Sequence, residues 1–126
     1  MARFEHVHFY CADPELTLGF FEKYFGATVE SRVPFPDWLI IRMKLGETIV
    51  ALSPKRGDMV LGDAVRGPRK GFDHIGIFLD GIDDLVSRMK ADGVEVAAAP
   101  YDAGPVRIAY VYAPDGIQLE LIQKRA

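Results

Sequence analysis

Apolar and polar residues alternate with a period of two over most of this chain, which is typical of strands that bury one face. The stretches with this alternation are residues 5–10, 27–33, 38–44 and 48–53, and again 73–78, 94–99, 106–113 and 117–123. Gly46 and the Asp115-Gly116 pair lie between consecutive stretches and favour tight turns. The pattern therefore predicts eight strands.

Two stretches with helical spacing interrupt the strands. The first begins at Pro14, a residue suited to the first helical position, and carries Leu16, Phe20 and Tyr24 as an apolar stripe that ends near Gly26. The second is expected to bury four residues and to end at the left-handed Gly93; they are Ile82, Leu85, Val86 and Met89. Asp13 and Asp80 precede the helices as predicted N-caps.

The chain repeats itself once. Glu5-His6-Val7 and Asp73-His74-Ile75 both open a strand that leads to a helix and then to three further strands. We therefore predict a first module at about 3–54 and a second at 72–123. Residues 55–71, rich in Gly, Pro and basic side chains, form a linker or a lid.

Composition narrows the class of protein. The 126 residues are 49% hydrophobic and 26% charged, which indicates one globular domain. A net charge of -3 gives no support for a nucleic-acid groove and favours a small-molecule substrate. The single cysteine, Cys11, excludes an intramolecular disulfide, and no apolar run resembles a signal segment or a membrane span, so we expect a cytoplasmic location.

Strand alternation places His6, His8 and Tyr10 on one face of the first strand, and the apolar face opposite them should lie under the helix. The same parity groups His74 with Gly76 and Phe78, Gln118 with Glu120 and Ile122, and Ile108 with Tyr110 and Tyr112. Side chains of four strands are thus expected to point into one cavity.

His6, His74 and Glu120 form the ligand set of a facial metal site, which leaves coordination positions for substrate and water. The alternative is that the histidines are ordinary half-buried residues and Glu120 faces solvent. The two histidines occupy the same position of a repeat, and Glu120 interrupts an apolar run where an unpaired carboxylate would be costly. These coincidences favour the metal site.

With these motifs the sequence resembles the vicinal oxygen chelate superfamily, which includes glyoxalase I, methylmalonyl-CoA epimerase, extradiol dioxygenases, fosfomycin-resistance enzymes and bleomycin-resistance proteins. The resemblance covers nearly the whole chain, and its last landmark is the run from Ala113 to Leu121. It implies an α+β fold of two βαβββ modules forming a cupped mixed sheet, with His6, His74 and Glu120 at the metal-ligand positions. It also implies a homodimer, with ligands from one chain or from two.

In glyoxalase I and the epimerases a fourth ligand, Glu or Gln, lies on the fourth strand. Alignment of residues 48–54 puts Val50 in that position, and valine cannot ligate. In extradiol dioxygenases and fosfomycin-resistance enzymes a tyrosine ten residues before the glutamate faces the metal, and Tyr110 fits. Tyr110 is then either a donor to a substrate oxygen or a core aromatic.

His8 shares a face with His6 and is either a proton shuttle or a hydrogen-bonded residue at the cavity edge. Trp38, Arg42 and Val50 are candidates for the substrate-binding wall, although a hairpin aromatic is often core. Further basic residues that are suited to an anionic substrate, or are simply solvated, are Arg66, Arg69, Lys70 and Arg107.

These observations favour a metal-dependent enzyme with one divalent ion (Fe, Mn, Ni or Zn) that chelates vicinal substrate oxygens, with dioxygenase chemistry narrowly preferred. One alternative is a lyase or isomerase of the glyoxalase or epimerase type. The other is a metal-free drug-binding protein of the bleomycin-resistance kind.

Overall fold

Both halves of the chain fold with the same order of elements. The structure is a computed structural model that describes all 126 residues. It divides into two compact units, Met1–Asp63 and Ala64–Ala126. Each unit contains a strand, a helix and three further strands, so the predicted βαβββ modules and the α+β class are confirmed.

The first unit forms a four-stranded sheet in the order β1-β4-β3-β2. Its strand β1 runs parallel to β4, and the other neighbours are antiparallel. Its elements are β1 (His6–Tyr10), α1 (Pro14–Phe25), β2 (Thr28–Pro34), β3 (Leu39–Leu45) and β4 (Thr48–Ser53).

The second unit repeats this topology with the order β5-β8-β7-β6, and β5 is parallel to β8. Its elements are β5 (Ile75–Phe78), α2 (Ile82–Ala91), β6 (Val96–Ala103), β7 (Val106–Tyr112) and β8 (Gln118–Lys124). A short 3-10 turn at Pro114–Gly116 joins β7 to β8, where Asp115 adopts a φ of 63°.

Helix α1 begins and ends as its sequence predicts but buries a different face. The Asp13 side chain accepts a hydrogen bond from the Leu16 N–H, and Gly26 ends the helix with a φ of 67°. The predicted stripe is wrong at Leu16, which is 62% exposed; Phe20 and Tyr24 are half-buried, and the fully buried residues are Thr17, Leu18 and Phe21.

The buried face of α1 covers one side of its sheet. Ile41 and Met43 of β3 and Val50 and Leu52 of β4 are buried there, and each alternates with a residue that points to the other side. Burial of such a side chain contributes about 1.5–3 kcal/mol. This apolar layer fixes which strand positions remain for polar chemistry.

Helix α2 is capped from a distant strand. Its N-cap is Gly81, which has no side chain, and the Ile82 N–H donates to Oε1 of Gln123 on β8 at 2.9 Å. The prediction that Asp80 caps this helix is therefore wrong. At the other end Gly93 follows the helix with a φ of 89°, as predicted.

The segment between Ser53 and Ile75 contains no helix or strand. The predicted linker at 55–71 lies within it. None of the helices combines the length and apolar character that crossing a bilayer requires.

We expect Gln123→Ala to lower the free energy of unfolding by about 0.5–2 kcal/mol, since the first N–H of α2 loses its acceptor. Urea unfolding measures this change. Gln123→Glu keeps an acceptor oxygen at a helix N-terminus and serves as the matched control, and equal destabilisation by both substitutions would contradict the capping role.

Arg107 of β7 ties α2 to the sheet, since its Nε and Nη2 donate to Asp83 at 2.9 and 2.8 Å and its Nη1 donates to Asp102 at 3.0 Å. Hydrogen bonds from Arg107 lower the pKa of the Asp83 carboxyl. The resulting stability is present above the unfolded pKa of about 3.9 and is lost as pH falls through the lowered value.

We therefore expect Asp83→Asn to flatten the acid limb of the stability curve, measured by urea unfolding at a series of acidic pH values. Asp84→Asn is the matched control, because Asp84 lies on the same helix and does not bind Arg107. An acid limb that is unchanged in Asp83→Asn would contradict the contribution of this ion pair.

Candidate functional site

The two histidines at the repeated position are held in the same way. Oε2 of Glu5 lies 2.6 Å from Nδ1 of His6, and Oδ2 of Asp73 lies 2.7 Å from Nδ1 of His74. A carboxylate only accepts hydrogen bonds, so each Nδ1 is the donor, and in the neutral form of each ring the lone pair lies on Nε2. A histidine that binds a metal ion through one ring nitrogen usually donates the N–H of the other to a carboxylate in this way.

Arg42 lies behind the first of these pairs. Its Nη2 donates to Glu5 at 2.6 Å and its Nε donates to Glu30 at 2.9 Å. Hydrogen bonds from Arg42, and then from His6, lower the pKa of the Glu5 carboxyl. The guanidinium of Arg42 thus binds two carboxylates of the protein and positions Glu5.

In the second unit three of the predicted site residues lie together. Nε2 of His74 is 3.8 Å from Oε2 of Glu120, and the Tyr110 hydroxyl donates a hydrogen bond to that same oxygen. The rings of His74 and Tyr110 meet edge to face with centroids 5.6 Å apart. The hydrogen bond to Glu120, together with burial, raises the pKa of Tyr110 to about 12.

Strand pairing accounts for this cluster. Glu120 of β8 pairs with Tyr110 of β7 on one side and with Gly76 of β5 on the other. Paired residues project from the same face of a sheet, and His74 precedes Gly76 by two positions. His6 belongs to the first unit. The chain holds no group of three or more His, Cys, Asp or Glu side chains placed to bind a metal ion.

His8 has a partner that the sequence analysis missed. Its Nε2 lies 2.6 Å from Oγ of the buried Ser53, and its ring centroid is 5.3 Å from that of Tyr10. Burial lowers the pKa of His8, followed by the charges of Arg56 and His6. Strand alternation in β4 was the signal for Ser53, which pairs with Tyr10.

The register corrects the expected position of the fourth ligand by one residue. In β1 and β4 His8 pairs with Ala51, as Gly76 pairs with Glu120 in the second unit. Ala51 is thus the counterpart of Glu120, and it cannot ligate either. Val50 is 1% exposed on the face under α1, so it does not line the polar face as a substrate-binding residue would.

Trp38 lies in the β2–β3 connection between two flat groups. Its ring stacks on Phe35 at a centroid distance of 3.9 Å and an angle of 4°. The guanidinium carbon of Arg56 lies 4.4 Å from the Trp38 centroid and 5.8 Å from that of Tyr10. The sequence analysis missed Arg56, which lies in an irregular segment without a periodic pattern.

The other arginines proposed for substrate binding have partners within the protein. Arg66 donates to Glu95 at 2.6 Å and stacks over Tyr112 at 3.9 Å. Arg69 donates to the Gly67 carbonyl at 2.9 Å, with its Nη1 3.9 Å from Asp73. Arg107 binds two aspartates, as described above. These guanidinium groups therefore stabilise the protein's own carboxylates and turns.

Known proteins with similar sequences include a curated lactoylglutathione lyase GLX1 from Arabidopsis thaliana, 28% identical over 133 aligned positions. A putative lactoylglutathione lyase from Brassica oleracea has the same identity. Both alignments cover 97% of this chain and 44% of the relative, so the chain spans less than half the length of these curated proteins.

Solved structures with the same fold include a glyoxalase family protein from Bacillus cereus, with a TM-score of 0.87, 18% identity and coverage of 100% of this chain and 96% of that one. Glyoxalase I from Zea mays gives a TM-score of 0.77 at 25% identity, covering 98% of this chain and 45% of that one. The fosfomycin resistance protein FosX from Listeria monocytogenes gives 0.73 at 18% identity, covering 99% and 94%.

The model of one family matches residues 3–121, nearly the whole chain. The chain therefore belongs to the Glyoxalase/Bleomycin resistance protein/Dioxygenase superfamily.

Proposed function

We propose that this protein is a metal-dependent enzyme in which His6, His74 and Glu120 hold one divalent ion, Fe, Mn, Ni or Zn. One observation carries the proposal: Nδ1 of His6 and Nδ1 of His74 are each hydrogen-bonded to the carboxylate of the preceding residue. These hydrogen bonds leave Nε2 of each ring to act as a metal ligand. Glu120, 3.8 Å from Nε2 of His74, adds a carboxylate.

The chemistry of this donor set suits such an ion. Two neutral imidazoles and one carboxylate form the facial triad of non-haem iron sites and also bind other divalent first-row metals. The three residues belong to one chain or to two chains of a homodimer, and the proposal holds for either assembly.

A bound divalent ion would hold two neighbouring substrate oxygens and stabilise negative charge that develops on them. The protein's own residues have supporting roles. Tyr110 orients the Glu120 carboxylate through its hydroxyl hydrogen bond. His8, held by Ser53 on the face that also carries His6, transfers a proton to or from the substrate.

Dioxygenase chemistry is the first reaction that we propose. The position equivalent to Glu120 in the first unit holds Ala51, so this chain lacks a second ligand carboxylate to serve as the base of a proton-transfer reaction on carbon. A three-residue ligand set leaves more coordination positions for two substrate oxygens and O₂.

A lyase reaction of the glyoxalase type is the second candidate. Its support is the 28% identity to lactoylglutathione lyases over 97% of this chain. In that reaction His8 would be the side chain that moves the proton. Oxygen uptake with catechol-type diols, compared with formation of lactoylglutathione from glutathione and methylglyoxal, separates the two reactions.

We expect the purified protein to take up one divalent ion per ligand set, and Asp73→Asn to weaken that affinity about 10–100-fold because His74 loses its orienting carboxylate. Elemental analysis and calorimetric titration with Mn²⁺, Fe²⁺, Ni²⁺ and Zn²⁺ measure both quantities. Asp80→Asn removes another exposed acid, one that does not bind His74, and should leave affinity unchanged.

Failure to take up any of the four metals would contradict the enzyme proposal and favour a metal-free, ligand-sequestering protein. Retention of full affinity in Glu120→Ala would remove Glu120 from the ligand set.

We expect His8→Ala to lower kcat about 10²–10⁴-fold, the usual contribution of a general acid or base, with metal content unchanged. Ser53→Ala, which removes the partner of His8, should cause a smaller loss. Metal content is determined on the same samples used for kinetics. Loss of the metal in His8→Ala would instead make His8 a ligand, and unchanged turnover would assign it a structural role.

A further inference from the structure

The guanidinium of Arg56 is held in place by aromatic rings and has no anionic partner in the protein. It lies 4.4 Å from the Trp38 centroid, and Phe35 supports the far side of that ring. It makes no side-chain hydrogen bond or ion pair, and its Nε is buried without an acceptor. A buried donor without an acceptor costs free energy and calls for an explanation.

Arg66 shows what a structural arginine looks like in this same protein. It stacks over Tyr112 at 3.9 Å, much as Arg56 stacks over Trp38, but its Nη1 also donates to Glu95 at 2.6 Å. Stacking alone therefore does not distinguish the two residues. What distinguishes Arg56 from Arg66 is the lack of a carboxylate partner.

We propose that Arg56, held by Trp38, is a subsite that binds a carboxylate group of a small substrate. Stacking fixes the plane of a guanidinium. The two Nη atoms of Arg56, which unlike its Nε are not buried, form the edge that a carboxylate matches with two parallel hydrogen bonds. A positive charge without a counter-ion selects an anion and repels a cation.

The position of Arg56 connects this subsite to the polar face of the first sheet. Its guanidinium carbon is 5.8 Å from the Tyr10 centroid, and the Tyr10 ring is 5.3 Å from that of His8. The inference rests on the proposed function in that it names the substrate class: a compound that carries a carboxylate besides its two vicinal oxygens. Binding of the carboxylate itself needs no metal.

Trp38 is the only tryptophan, so its fluorescence reports directly on this subsite. We expect benzoate, added to protein stripped of metal with a chelator, to change the emission of Trp38 saturably, with a dissociation constant on the order of 1 mM. Benzamide has the same shape without the charge. It should bind at least about tenfold more weakly, because charge-assisted hydrogen bonds are the stronger ones.

Variants assign the effect to Arg56. Arg56→Gln should weaken benzoate at least about tenfold, and Arg56→Lys, which keeps the charge and loses the planar fork, should fall between it and the parent. Arg66→Gln removes a stacked arginine elsewhere and should leave binding unchanged. Calorimetry repeats each titration, since substitution next to Trp38 alters its emission, and circular dichroism verifies that each variant is folded.

Equal binding of benzoate and benzamide, or benzoate binding that survives Arg56→Gln, would overturn the subsite. If the protein binds a metal ion but no benzoate, the subsite is overturned and the proposed function still stands. Benzoate binding through Arg56 in a protein that takes up no metal supports the subsite and overturns the function.

Discussion

The period-two alternation of the strands, fixed by burial of one sheet face under a helix, is the constraint on which the functional face depends. In the first unit Met43, Val50 and Leu52 are almost completely buried. A slip of one residue in β4 would turn Val50 outward and put Ala51 and Ser53 into that layer. Because such a slip exposes apolar surface, packing beneath α1 also fixes where His8 meets Ser53.

The two halves share this frame but have diverged in what they place on the polar face. Each half keeps a histidine whose Nδ1 donates to the preceding carboxylate. Around that histidine the paired positions differ: His8, Ala51 and Arg42 in the first unit stand where Gly76, Glu120 and Tyr110 stand in the second. The first half thus offers an imidazole with a hydroxyl partner, and the second offers a carboxylate with a phenol partner.

Sequence patterns predicted the elements well because alternation and turn residues are local signals. They did not predict hydrogen-bond and ion-pair partners that lie far away in the sequence. Asp80 looked like a helix cap, whereas Gln123 supplies the acceptor from β8. Arg42 looked available to a substrate, whereas Glu5 and Glu30 bind it. The register of β4, which moved the expected ligand position from Val50 to Ala51, depends on pairing that a single strand does not encode.

The arginines of this protein differ in whether the protein itself supplies a carboxylate partner. Arg42, Arg66 and Arg107 each form an ion pair with a carboxylate of the protein. Their charges are therefore compensated without a ligand. Arg56 stacks on Trp38 without a carboxylate partner, and its buried Nε has no acceptor within the protein. A carboxylate bound at the guanidinium of Arg56 would supply the counter-charge that the protein itself does not provide there.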